Sequence, residues 1–106
     1  MSFPRVTTPT HTFILPFDTS ECSVIQVTYT QGCHSLIKQY EDGTLPSGMS
    51  LDEDSVIIHL TQEETKSFKV GAIEVQIRVL TTNDQAYASG IFKVGATKVN
   101  NEDILS

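Results

Sequence analysis

From Ala72 to Thr81, Ile73, Val75, Ile77 and Val79 alternate with Glu74, Gln76 and Arg78. Strict alternation of β-branched and polar residues puts one face of a strand on a core and the other in water. The same period predicts a strand over 10–15, with His11, Phe13 and Leu15 on one face and Pro16 ending it. Another spans 23–30, with Ile25, Val27 and Tyr29 on one side, and a further one spans 55–61, with Val56, Ile58 and Leu60 inward. Gln31-Gly32 connects the 23–30 strand to 34–40 as a hairpin. In that next strand Leu36 and Ile37 are adjacent and the alternation blurs, which predicts an edge position or a bulge. Residues 86–94 read as one strand with Ala86, Ala88, Gly90, Phe92 and Val94 on a shared face, broken or bent at Gly95, with one more pair at Lys98-Val99.

Between these strands lie turn signals. Asp18 and Ser20 can bond nearby backbone N–H groups after Pro16, and 41–52, with Asp42-Gly43 and Pro46-Ser47-Gly48, is the longest irregular connection, with room for a short strand near Met49 to Leu51. Thr61-Gln62-Glu63-Glu64 matches a capping box, so a single helical turn near 61–67 is expected, closed by Phe68 entering the core. About seven short strands, one helical turn and no long helix point to an all-β antiparallel sandwich, with a small closed barrel as the alternative. Residues 1–9, carrying Pro4 and Pro9, read as an extended arm, 10–99 as the sandwich and 100–106 as an acidic tail. The expected core is Phe13, Leu15, Ile25, Val27, Val56, Ile58, Leu60, Phe68, Ile73, Val75, Ile77, Val79, Phe92 and Val94.

A chain of 106 residues fits one domain and can bury a core without metals or disulfides. Thirteen acidic against seven basic residues give a net charge of -6, which repels phosphate backbones and anionic lipid, so neither nucleic acid nor a membrane surface is an expected partner. No apolar run follows Arg5 of the kind a secretory leader needs, and the chain is expected in the cytoplasm when made. Cys22 and Cys33 flank the 23–30 strand, whose eight residues span about 26 Å, so two free thiols are expected rather than a bridge. His11, His34 and His59 show no metal-ligand spacing, and the adjacent Cys33 and His34 would point to opposite faces of a strand. The acidic clusters Asp52-Glu53-Asp54 and Glu63-Glu64 lack the calcium-loop pattern and suit solvated turns and a helix N-terminus. No nucleophile motif or phosphate loop occurs, so no enzyme activity and no cofactor are expected.

Three stretches carry a resemblance: T-P-T-H-T-F-I-L-P-F-D-T at 8–19, L-T-Q-E-E-T-K-S-F at 60–68, and V-Q-I-R-V-L-T-T at 75–82 followed by A-S-G-I-F-K-V at 88–94. In these the chain resembles small proteins of tailed bacteriophages and prophages of Gram-positive hosts, similar to the N-terminal β-sandwich of upper baseplate proteins. The resemblance implies an immunoglobulin-like sandwich and a non-enzymatic virion structural or adaptor protein. Such a protein docks onto a head, neck or baseplate, with other virion proteins or copies of itself as partners. Residues 1–10 and 98–106 are long and plain enough to join a neighbour by adding a strand, and the alternative is that they are simply loose termini. The candidate partner-binding residues are Phe3, Arg5 and Val6 in the arm, Ile104 and Leu105 in the tail, and the amphipathic Tyr40 and Tyr87. A carbohydrate- or host-surface-binding module, with glycan stacked on Tyr29, Tyr40 or Tyr87, is the alternative.

Overall fold

The computed structural model of the chain describes residues 2–4, 7–41, 43–89 and 91–97. Among these, nine strands form two sheets: β1 (Ser2–Pro4), β2 (Thr10–Ile14), β3 (Cys22–Gln31), β4 (His34–Glu41), β5 (Met49–Asp52), β6 (Ser55–His59), β7 (Gly71–Thr81), β8 (Ala86–Ala88) and β9 (Phe92–Thr97). The larger sheet has the order β1-β9-β7-β3-β4, with β8 also on β7, and the smaller has the order β2-β6-β5. Every pairing is antiparallel except that of β1 with β9. The β3-β4 and β5-β6 hairpins and the β7-β9 pair lie alternately in the larger, the smaller and the larger sheet. The two sheets pack around one core as an all-β sandwich.

The period-2 pattern fixes which side chains meet between the sheets. Ile25, Val27 and Tyr29 of β3 and Ile73, Val75, Ile77 and Val79 of β7 are buried, and they pack with Phe13 and Leu15 near β2 and with Val56, Ile58 and Leu60 near β6. Removing one such side chain from water stabilises by roughly 1.5–3 kcal/mol, so β3 and β7, each buried along its length on one face, form the spine of the domain. Cys22, Tyr29, Met49 and Ala96 join this core beyond the expected set. Phe92, expected inside, is 46% exposed, although its ring lies 5.7 Å from that of Phe13.

The helical turn forms as the capping box requires. In α1 (Gln62–Lys66) the Thr61 hydroxyl accepts from the Glu64 N–H at 3.1 Å and the Glu64 carboxylate accepts from the Thr61 N–H at 2.9 Å. Phe68 follows and is fully buried. The β3-β4 hairpin turns on Gly32 and Cys33, with Gly32 at φ 58° as a two-residue turn with glycine first demands. At Gly48, φ is 80° and a Cβ would meet the His59 carbonyl oxygen at 2.5 Å, so only glycine lets this connection close on β6.

One open expectation is resolved and three change. First, β4 is an edge strand, paired without interruption to β3; the register shift lies instead between Cys22 and Val24, where β3 meets β7. The blurred alternation comes from Lys38, which takes an inward position and is buried, while Ile37 faces out at 53% exposure. Second, 86–94 is two strands. Ala88 pairs with Arg78 and Phe92 with Val75, so three residues of this run stand against two of β7. The extra residue reverses the facing: Ala86 and Ala88 align with the outward Leu80 and Arg78, whereas Phe92 and Val94 align with the inward Val75 and Ile73. Third, Gly95 does not end the run, since β9 continues to Thr97. Fourth, part of the 1–9 arm is a strand, β1, whose Ser2, Phe3 and Pro4 align with Gly95, Ala96 and Thr97. Pro4 stands at the end of an outermost strand, where its missing N–H is tolerated.

Candidate interaction surface

On the outer face of the larger sheet, strand register sets side chains in rows. Glu41, Val24, Leu80 and Ala86 form one row; Gln39, Gln26, Arg78 and Ala88 the next; then Ile37, Thr28 and Gln76; then Ser35, Thr30, Glu74 and Lys93. The alanines of β8 are short against Leu80 and Arg78, and they leave a hollow of about 390 Å³ bordered by Val24, Gln26, Gln39 and Tyr87. A second hollow of about 220 Å³ continues along β3 and β7 toward Ile91 and shares Gln26 and Arg78 with the first.

Amide groups tie this face together. Gln26 donates to the Gln39 side chain at 3.0 Å, and Gln76 donates to the Ser89 carbonyl at 3.2 Å. Arg78 forms no ion pair with any described residue. The face therefore offers apolar patches at Ile37, Leu80 and Ile91, exposed by 53%, 37% and 58%, around the amides of Gln26, Gln39 and Gln76 and the Arg78 guanidinium, with Glu41, Glu74 and Lys93 on the flanking rows. This mixture of exposed apolar side chains, amides and an arginine matches the composition of protein contact surfaces, which are about as apolar as the rest of a protein's surface and enriched in Arg.

The residues with chemical potential are dispersed. His11 is buried with Nδ1 2.7 Å from the Tyr29 hydroxyl, and burial lowers its pKa. Burial, followed by the charge of Glu64, pushes the Tyr29 phenol well above its usual range. His34 bonds the Ser67 hydroxyl at 2.9 Å and sets its ring edge-on to Phe68, while His59 bonds the Thr10 hydroxyl at 2.9 Å. Cys22 is buried, which raises its thiol pKa, and Cys33 is exposed at the hairpin tip; both are free. Among the described residues no three His, Cys, Asp or Glu side chains gather as a metal site would require.

Of the expected partner-binding residues, Tyr40 is half-buried and packs against the core from the edge strand β4. Tyr87 aligns with the inward Val79 and meets the Phe17 ring edge-on at 5.5 Å, with 37% of its surface exposed. Tyr29 is fully buried, so the three tyrosines share no stacking platform. Phe3 lies on β1 opposite Ala96. Arg5, Val6, Ile104 and Leu105 lie outside the described residues, as do the Lys98-Val99 pair and the acidic tail. The outer face itself was not singled out from sequence. Its signal was the second half of each alternation, the glutamines and threonines between the core residues.

No protein-family model matches the chain, and no curated protein matches it.

Proposed function

We propose that the protein is a non-enzymatic structural or adaptor component of a tailed-bacteriophage particle, made in the host cytoplasm and then built into the virion. It docks to other virion proteins or to further copies of itself. The observation that carries this reading is the outer face of the larger sheet, where apolar side chains surround amides across four strands. The stretches at 8–19, 60–68 and 75–94 that resemble small phage proteins support the same reading. On a symmetric particle, many weak contacts of this kind act together.

The test is recovery of the tagged protein with purified particles of the phage that encodes it. Wild type is expected in the particle fraction at a fixed copy number. The Ile37→Asp/Leu80→Asp variant is expected to keep its thermal melt and be lost from particles. Wild type found only in the soluble fraction overturns the proposal.

A further inference from the structure

β1 is attached differently from the other strands. It holds three residues, it is the parallel member of an otherwise antiparallel fold, and Pro4 gives it no third N–H to donate. A ladder this small gives little to offset the entropy of ordering it. Just beyond it the chain is pinned by other means. Thr7 donates its N–H to the Thr65 hydroxyl oxygen at 3.0 Å and accepts the Thr65 hydroxyl on its carbonyl at 2.9 Å, and Leu60 donates to the Pro9 carbonyl at 3.1 Å. Thr65 is fully buried on α1, so this anchor belongs to the core and does not depend on β1. Two residues, 5 and 6, separate the anchor from Pro4.

Among the described residues, the edge that receives β1 is paired only at Gly95–Thr97. β1 aligns with Gly95, Ala96 and Thr97, while Phe92 and Ile91, at the other end of β9, keep 46% and 58% of their surface exposed. We propose that β1 is an exchangeable strand: when copies are crowded, Ser2–Pro4 of one copy pairs with Gly95–Thr97 of a second copy. The exchanged ladder makes the same contacts as the closed one, and it brings a neighbouring molecule beside Ile91 and Phe92. Because Pro4 and the Thr7 anchor belong to one chain and lie close in sequence, pairing within the chain prevails in dilute solution and exchange sets in where copies are packed. This inference rests on the docking reading above and specifies its partner as a second copy of the chain.

Register supplies the test. Ser2 faces Gly95, and because Ala96 is buried, Gly95 lies on the outward side. In a Cys33→Ser background, one chain carries Ser2→Cys and a second carries Gly95→Cys. After mixing at about millimolar concentration and mild oxidation, the disulfide joining the two different chains should exceed either like-with-like product about tenfold, and dilution to about micromolar should remove it. The chain carrying both substitutions should close on itself when dilute. Closure in that chain without the mixed disulfide overturns exchange, and failure of closure overturns the β1-β9 pairing on which it depends. Particle recovery is scored separately, so a chain that enters particles without exchanging leaves the docking reading standing and removes this one.

Discussion

Nδ1 of His11 lies 2.7 Å from the Tyr29 hydroxyl between the two sheets, and the rings stack with centroids 5.7 Å apart. Phe13 tilts over the same imidazole at 6.3 Å. A phenol held protonated by its surroundings donates to a neutral imidazole, so the pair is satisfied while His11 is uncharged. Protonation would place a cation among aromatic rings.

A pH dependence follows, and its sign is set by burial. His11 titrates below its ordinary 6.5 in the folded chain, so the unfolded chain binds the proton more readily. Stability is then complete above about pH 6.5 and declines as pH falls toward the folded value, with a slope of at most about 1.4 kcal/mol per pH unit. Urea melts between pH 7.5 and 5.5 should show this decline in wild type and a flatter profile in His11→Gln. Parallel profiles would remove His11 as the cause.

The spine strand gives the sharpest contrast. Val75 is fully buried, flanked in register by Tyr29 on one side and Phe92 on the other. A carboxylate there has no partner and cannot reach water, so Val75→Asp should show no cooperative thermal transition. His59 is exposed and, among the described residues, its ring bonds only the Thr10 hydroxyl, so His59→Ala should change stability by no more than about 0.5 kcal/mol. A normal melt for Val75→Asp would refute the placement of β7.

Lys38 and Glu64 close the side of the sandwich between β4 and α1. The ammonium lies 2.6 Å from a Glu64 carboxylate oxygen and donates to the Ser47 carbonyl at 2.9 Å, with the two side chains 11% and 18% exposed. Burial acts to raise the Glu64 carboxyl, but the hydrogen bonds from Lys38 and the Thr61 N–H outweigh it and hold the group below its usual range. This contribution is therefore present above about pH 4.5 and is lost as pH falls through the folded value. Lys38→Met strands a nearly buried carboxylate, and should cost more than the double variant Lys38→Met/Glu64→Gln implies by addition. A double-mutant cycle at pH 7 should return a coupling of about 0.5–3 kcal/mol that shrinks at pH 3. A coupling near zero at pH 7 would mean the pair adds nothing.

These cases show what a sequence displays locally and what it hides. β3 and β7 were readable because each has one face on the core for its whole length, so burial imprints period 2 on the residues themselves. The Thr61/Glu64 box was readable because its bonds span three residues. Lys38 was not, because an inward lysine on an edge strand makes sense only with Glu64 on a separate element and the Ser47 carbonyl in reach. β1 was hidden for the same reason: its partner strand begins almost a whole chain away at Phe92. The candidate docking face depends on four strands lying in register, and only fragments of each row are visible along the chain.

Ser89 sits where the ladder on β7 changes parity, and its side chain does the work of a missing strand residue. Its N–H donates to the Ile77 carbonyl at 2.8 Å, while its hydroxyl oxygen accepts from the Ile77 N–H at 3.0 Å. The Ile77 N–H is part-buried beside a core side chain, and β8 and β9 both stop short of it. Ser89→Ala keeps the first bond and orphans the second, at an expected cost of about 1–3 kcal/mol. Denaturant midpoints should fall accordingly with an unchanged slope, and amide exchange at Ile77 should accelerate more than at Val75, where β9 still pairs. Equal exchange at both amides would show that the hydroxyl does not hold the break together.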